Sequence, residues 1–161
     1  MKYLFSLLAI IGLMSCATSQ NAKYSKIEYQ VGPCFGFCPV YKFTVSPDRK
    51  AVLEAEHFNF SEGGSKDDFS KPREGTFQAT LSQEDYDQLV SMVDAADIKT
   101  LKDSYIDDRI MDASKTNLRI NFADGTKKDI SMSAGEKPQK LIDLQKYITE
   151  LKEKLSWKKV N

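Results

Sequence analysis

The chain has few of the residues that most catalytic and metal sites use. Its 161 residues include one histidine, one tryptophan and three cysteines. A single histidine gives a Ser-His-Asp triad or a multi-histidine metal site little to draw on. The 23 basic and 23 acidic residues cancel, which removes the general electrostatic case for a nucleic-acid partner. The sequence therefore predicts no cofactor and no catalytic residue, and it favours a non-catalytic role while leaving enzymatic activity open.

The amino terminus has the pattern of a bacterial lipoprotein signal. Lys2 precedes an apolar run over residues 3–14, which is too short to span a membrane. The run ends in Leu-Met-Ser-Cys at residues 13–16, which resembles the lipobox, where cleavage leaves an acylated amino-terminal cysteine. This pattern predicts a signal peptide over residues 1–15, lipidation of Cys16 and a polar tether through residue 25. The alternative is an ordinary secretory signal with Cys16 left as a free thiol.

This signal sets the expected location and one expected partner. We expect the protein in the bacterial cell envelope, anchored by its lipid to the outer membrane and facing the periplasm. The membrane is then one partner, and an unknown envelope protein or ligand is the other.

Residues 32–41 gather cysteine, proline and glycine in the stretch Gly-Pro-Cys-Phe-Gly-Phe-Cys-Pro-Val-Tyr. Cys34 and Cys38 lie four positions apart. A disulfide tolerates a Cα separation of at most about 7 Å, so bridging them needs a sharp reversal, with Gly36 at its midpoint. In an oxidising compartment this even pair is expected to form a structural disulfide. The loop is then an interaction surface or a structural clasp, formed by Gly32, Pro33, Phe35, Gly36, Phe37, Pro39 and Tyr41.

Two alternatives stay open for the cysteine pair. The spacing Cys-x-x-x-Cys-Pro resembles the metal-binding loop of copper-chaperone proteins with a thioredoxin fold, and thiolates suit Cu(I). The protein would then be a thiol-redox or copper-binding protein that uses Cys34, Cys38 and the single histidine, His57. In the other alternative, both cysteines stay reduced and have no special role.

Alternating apolar residues and two amphipathic stretches predict an α+β domain. Ser82 is expected to cap a helix that ends near Ala95, and Pro138 lies in the first turn of a second helix. Residues 98–106 fit either a short helix or an irregular crossing. A bulge is expected near His57. Strands are expected at residues 26–31, 40–45, 51–60, 75–81, 116–123 and 126–132.

The order β-β-β-β-α-β-β-α predicts an antiparallel sheet of about six strands, with both helices packed on one face. The single domain is expected to occupy residues 26–157, followed by a tail at residues 158–161.

The stretch at residues 32–41 also resembles the hallmark of a bacterial domain-of-unknown-function family. Many members of that family carry Gly-Pro-Cys-Phe-Gly-x-Cys-Pro-x-Tyr near the start, and they are often secreted or lipid-anchored. An aspartate-containing loop before the strand at Leu118 and a terminal helix ending near Trp157 fit the family as well. The resemblance implies a domain over about residues 26–157 and adds no activity.

Three other groups of residues are candidate sites. Asp107, Asp108 and Asp112 could hold a hard cation, but without an Asp-x-Asp-x-Asp-Gly pattern a solvated loop is favoured. Period two places His57 on the strand face opposite Glu54 and Glu56, which argues against an acid-base group. Trp157 is expected to close the core rather than to touch lipid head groups. The lysines expected at a solvated end around it are Lys152, Lys154, Lys158 and Lys159.

Overall fold

The fold is taken from a computed structural model that describes residues 22–35, 38–57, 75–110 and 112–160. The predicted signal peptide, the lipidation of Cys16 and most of the predicted tether lie outside these residues. Gly36 and Phe37 of the predicted loop do as well. For His57 the backbone is described and the side chain is not.

In the described part of the chain, eight strands form one sheet, and two helices accompany it. The elements in chain order are β1 Tyr24–Val31, β2 Val40–Val45, β3 Lys50–His57, β4 Gly75–Thr80, α1 Gln83–Ala95, β5 Ser104–Tyr105, β6 Thr116–Phe122, β7 Lys127–Met132, α2 Gln139–Lys154 and β8 Lys158–Lys159. A short 3-10 turn at Ile98–Thr100 follows the first helix. The strand order in the sheet is β5-β7-β6-β1-β2-β3-β4-β8, and every pairing is antiparallel except that of β5 with β7.

The predicted α+β class is confirmed, whereas the predicted count and order of the strands are wrong. The order is β-β-β-β-α-β-β-β-α-β, because β5 and β8 add a short strand at each edge of the sheet. Each of these strands has two residues, too few for an alternating pattern to be visible in the sequence. β8 lies in the predicted tail, and β1 begins two residues before the predicted strand, within the predicted tether.

Period-two alternation explains which face of the sheet carries the core. Inward-facing strand side chains such as Phe43 and Leu118 share one buried cluster with Leu89 of α1 and Leu144 of α2. The opposite face is polar and carries cross-strand ion pairs, among them the pair between Lys42 and Glu54. Both helices therefore cover the same face, and no helix among the described residues covers the other face.

The Ser82 cap and the bulge form where the sequence predicted them, whereas Pro138 lies just outside the first turn in which it was predicted. The Ser82 side chain caps α1, accepting a hydrogen bond from the Asp85 amide at 3.0 Å. Pro138 directly precedes α2, whose apolar stripe is buried. In the β2–β3 ladder, Val40 pairs with His57 and Tyr41 pairs with Ala55. Two residues of β2 therefore span three of β3, which is the predicted bulge.

Antiparallel pairing gives the sheet two distinct ends. At the loop end, defined here by residues 32–35, 38–39, 106–110, 112–115 and 133–138, Val31 pairs with Thr116, and Thr116 pairs with Met132. At the Tyr24 end, defined by residues 22–24, 94–99 and 122–126, Tyr24 pairs with Phe122. Strand β1 runs from one end to the other. With a rise of about 3.3 Å per residue, its length separates the two ends by roughly 25 Å.

Candidate functional site

A disulfide closes the loop between β1 and β2. The bond joins Cys34 and Cys38, whose Cα atoms are 5.7 Å apart. This is the pairing that the sequence predicted, and it turns the connection between two central strands into a covalently closed loop.

Backbone hydrogen bonds fix this loop to the segment that leads into β6. The Gly32 amide donates to the Lys115 carbonyl at 2.8 Å, and the Phe35 amide donates to the Asp112 carbonyl at 3.4 Å. The Ser114 hydroxyl donates to the Gly32 carbonyl. A Cβ atom at Gly32 would lie 3.1 Å from the Lys115 carbonyl oxygen, so the absence of a side chain permits this close approach.

The fixed loop exposes an aromatic side chain. Phe35 is 88% exposed, more than any other large apolar residue that the structure describes. Ile110, which is 46% exposed, lies two positions before Asp112, the residue whose carbonyl holds Phe35. Pro33 and Pro39 on either side of the bridge are exposed as well. The loop end therefore presents apolar surface on a constrained backbone.

Tyr41 does not belong to this surface, contrary to the prediction. It is only 4% exposed, and its ring lies 6.5 Å from the Tyr29 ring in the core. Burial, together with the neighbouring Tyr29 and Glu153, raises the pKa of the Tyr41 hydroxyl, and Thr149 opposes this by a hydrogen bond. Tyr41 anchors the strand that follows the loop.

The four lysines near Trp157 separate into different environments. Lys152 is 2% exposed, with its ammonium 4.8 Å from the centre of the Tyr41 ring, so the predicted solvated position is wrong for this residue. Lys154 pairs with Asp85 at 2.7 Å, while Lys158 and Lys159 are exposed in β8. The side chain of Trp157 closes the core, as predicted. Its indole nitrogen donates to the Lys152 carbonyl at 2.8 Å, and its ring meets the Phe43 ring edge to face.

Two of the three aspartates that precede β6 serve local structure. Asp107 forms a two-point ion pair with Arg109, at 2.9 and 2.7 Å, and these hydrogen bonds lower the pKa of its carboxyl. Asp112 contributes its carbonyl to the cysteine loop, and Asp108 is exposed. Where side chains are described, no group of three or more His, Cys, Asp or Glu residues could hold a metal ion.

The backbone brings the three residues of the copper alternative to the same end of the sheet. His57 is the register partner of Val40, which lies two positions after Cys38. The two carboxylates of the acid-base alternative are engaged elsewhere or exposed. Glu54 faces the polar side of the sheet and pairs with Lys42, and Glu56 is exposed in the bulge.

Sequence reasoning missed the segment that holds the loop. The contacts come mainly from backbone atoms of Asp112, Ser114 and Lys115. Every residue type has a backbone carbonyl, so the sequence does not show which one accepts a hydrogen bond. Only the pairing of Val31 with Thr116 explains why this segment meets Gly32.

No helix in the described part of the chain is long and apolar enough to cross a membrane.

No curated protein matches the chain. Residues 25–152 match the family DUF6438, which is described as a domain of unknown function. The match covers most of the chain, and it confirms membership of a domain-of-unknown-function family, which the resemblance had implied. The protein thus belongs to the DUF6438 family.

Proposed function

We propose that this protein is a lipid-anchored bacterial envelope protein whose domain acts by binding rather than by catalysis, with the cysteine loop as its binding surface. The observation that carries the proposal is the 88% exposure of Phe35 on a loop whose backbone is held on both sides. The bridge between Cys34 and Cys38 holds it covalently, and residues 112–115 hold it by hydrogen bonds.

The energetics of an exposed aromatic ring support a binding role. Burying a phenylalanine side chain is worth about 1.5–3 kcal/mol, and the fold leaves this free energy unused at Phe35. The loop backbone is already constrained. Binding of a partner over the ring therefore costs little conformational entropy in the loop. A fixed apolar anchor of this kind is typical of the few residues that dominate an interface.

The proposed anchor also suggests where the partner is found. If lipid is attached at Cys16, the chain enters the sheet at Tyr24, and the loop lies at the opposite end of β1. The Cys34–Cys38 loop then faces away from the anchoring membrane by roughly the length of that strand, about 25 Å. We therefore expect a partner in the periplasm rather than the anchoring bilayer itself.

Photocrosslinking in living cells tests the binding surface. A benzoylphenylalanine placed at position 35 should give an adduct of defined mass, because an exposed ring at an interface lies against its partner. The matched control carries the same crosslinker at Ala123, which is exposed at the Tyr24 end. The adduct should form at position 35 and not at position 123. Equal labelling at both positions, or none at position 35, would contradict the role of the loop.

The anchor is tested in the same cells with Cys16→Ser. We expect this change to abolish incorporation of labelled fatty acid and to move the protein from the membrane fraction to the soluble fraction. Fatty acid that remains on the Cys16→Ser variant would exclude this anchor.

A thiol-redox or copper-binding function is the second candidate. Its support is the backbone register, which sets His57 opposite Val40, close in sequence to Cys38. This function requires a bridge that opens at physiological potentials, because only the free thiolates bind Cu(I). One Cu(I) bound per reduced chain, lost in His57→Ala, would favour this candidate. A bridge that resists mild dithiol reductants would exclude it.

A further inference from the structure

A groove with a volume of about 300 Å³ opens at the Tyr24 end, on the far side of the molecule from the cysteine loop. Tyr24 and Phe122 form part of its lining, and their ring centres are 5.5 Å apart. Both residues are buried in the core, so the rings are held rigidly. The volume is at the lower limit for ligand sites, about 300–1,000 Å³, and therefore suits a small ligand.

Each ring of this groove already carries an ammonium group from the protein. The Lys99 ammonium lies 4.2 Å from the centre of the Phe122 ring, and the Lys23 ammonium lies 5.5 Å from the centre of the Tyr24 ring. Both distances fall within the range of about 6 Å over which a ring face attracts a cation. The groove thus uses its aromatic lining to hold positive charge.

The charges around the groove do not balance. Lys23 pairs with Asp94, and Lys99 lies 3.5 Å from Asp124. Asp97 also lines the groove, and no hydrogen bond or ion pair joins its carboxylate to another described residue. Among the described residues, three carboxylates therefore face two ammonium groups, and one carboxylate is available to an incoming cation.

The backbone at Asp97 adopts a conformation that is uncommon for aspartate. Its φ is +47°, in the left-handed region, between the end of α1 and the 3-10 turn. The amide donates to the Asp94 carbonyl at 3.1 Å, and the carbonyl accepts from the Thr100 amide at 2.9 Å. Asparagine tolerates this conformation as well as aspartate does, so the charge can be removed without disturbing the turn.

We propose that this groove binds a small organic ammonium group, which takes the place of Lys99 against Phe122 and is balanced by the Asp97 carboxylate. The ring face supplies cation–π attraction, and the free carboxylate supplies the opposite charge. The inference rests on the lining of the groove and on neither the cysteine loop nor the lipid anchor.

Choline and its neutral carbon isostere, dimethylbutanol, form the test pair. Amide NMR spectra of the isotope-labelled full chain are recorded during titration with each compound. Choline should shift the amide resonances of Asp97, Ile98, Lys99 and Phe122 with one saturation curve. The isostere has the same shape without the charge, and it should leave these resonances unchanged at the same concentrations.

Three variants separate the proposal from a general effect of charge. Asp97→Asn should weaken choline binding by about fivefold, because it removes the unpaired carboxylate. Lys99→Gln should strengthen binding by about threefold, because it removes the competing ammonium. Lys146→Gln is the matched control, since it removes a lysine that is 75% exposed on α2, outside the groove lining, and it should leave the affinity unchanged.

Equal binding of choline and dimethylbutanol, or no saturable binding of choline, would overturn the proposal. Weaker choline binding in Lys99→Gln would do the same, because it would mean that the Lys99 ammonium does not compete with the ligand for the Phe122 ring. An ammonium group can come from a free amine or from a lipid head group. Nanodiscs of phosphatidylcholine and of phosphatidylglycerol separate these sources, because a head-group ligand would shift the groove resonances only in the first.

Discussion

The two ends of the sheet are stabilised in different ways. At the loop end, the Cys34–Cys38 bridge and backbone hydrogen bonds to residues 112–115 hold the chain, and Phe35 takes no part in the core. At the Tyr24 end, the Ala123 amide donates to the Lys23 carbonyl, and side chains add further support. Asp94 accepts hydrogen bonds from both Lys23 and Tyr24, and burial together with the Asp94 hydrogen bond raises the pKa of Tyr24 to about 12.

This difference matters for what each end can do. A loop held by covalent and backbone bonds leaves its side chains free to meet a partner, since the fold does not need them. An end held by rings and charges has side chains that serve stability and any ligand at the same time. Substitutions should therefore separate binding from stability at the loop end and should couple them at the Tyr24 end.

The largest expected effect is the contrast between two aromatic residues. Tyr24→Ala should lower the free energy of unfolding by about 3 kcal/mol, because it empties a buried site. Phe35→Ala should change it by no more than about 0.5 kcal/mol, because the ring is exposed. Urea unfolding followed by far-UV circular dichroism measures both values.

Tyr24→Phe is the control for the ring itself. It keeps the apolar volume and removes the hydroxyl that donates to Asp94, so we expect a loss of about 1 kcal/mol. A destabilisation by Phe35→Ala as large as that of Tyr24→Ala would mean that the loop end also depends on its side chains. The two ends would then not differ in how they are stabilised.

The second prediction concerns the covalent link. Replacing both Cys34 and Cys38 by serine should lower the free energy of unfolding by about 2 kcal/mol, the loop-closure entropy of a five-residue loop. Wild-type protein unfolded in strong reductant should show the same loss. A loss below about 0.5 kcal/mol in both would indicate that the hydrogen bonds to residues 112–115 alone hold the loop.

Much of the fold could be predicted because its signals are local. Alternating apolar residues mark each long strand, and Ser82 marks the start of α1 by a side chain that caps it. The spacing of the cysteine pair, with Gly36 between them, predicted the bridge together with the oxidising compartment expected from the amino-terminal signal. The strand, cap and loop signals each depend on residues that are neighbours in the sequence.

The remaining features depend on residues that are distant in the sequence. The short strands β5 and β8 exist because an edge of the sheet accepts two more residues, and no periodicity reports this. Lys152 is buried against Tyr41 because α2 lies over β2, although a lysine near the end of a helix usually faces solvent. The groove joins Tyr24, Asp97 and Phe122 from three separate segments, so only the assembled sheet reveals it.

The smallest expected effect is the pH dependence that Asp94 contributes at the Tyr24 end. Burial raises the pKa of its carboxyl, but the hydrogen bonds from Lys23 and Tyr24 outweigh it, so the pKa is lowered from 3.8 overall. The unfolded chain then binds the proton more tightly than the folded protein, so this contribution is present above pH 3.8 and is lost as the pH falls below it. Because the side chain is 41% exposed, solvent screening keeps the contribution below about 1 kcal/mol.

Asp94→Asn should remove this contribution, and the difference in unfolding free energy between wild type and variant should shrink between pH 6 and pH 3. Urea unfolding at each pH measures it. About 1 M salt should reduce the difference at pH 6, because exposed charge pairs are screened. The loss caused by the double cysteine variant should not change with salt, because a covalent link is not screened. If the Asp94 difference is as insensitive to salt as the cysteine difference, charge does not stabilise the Tyr24 end, and its side chains act there by packing alone.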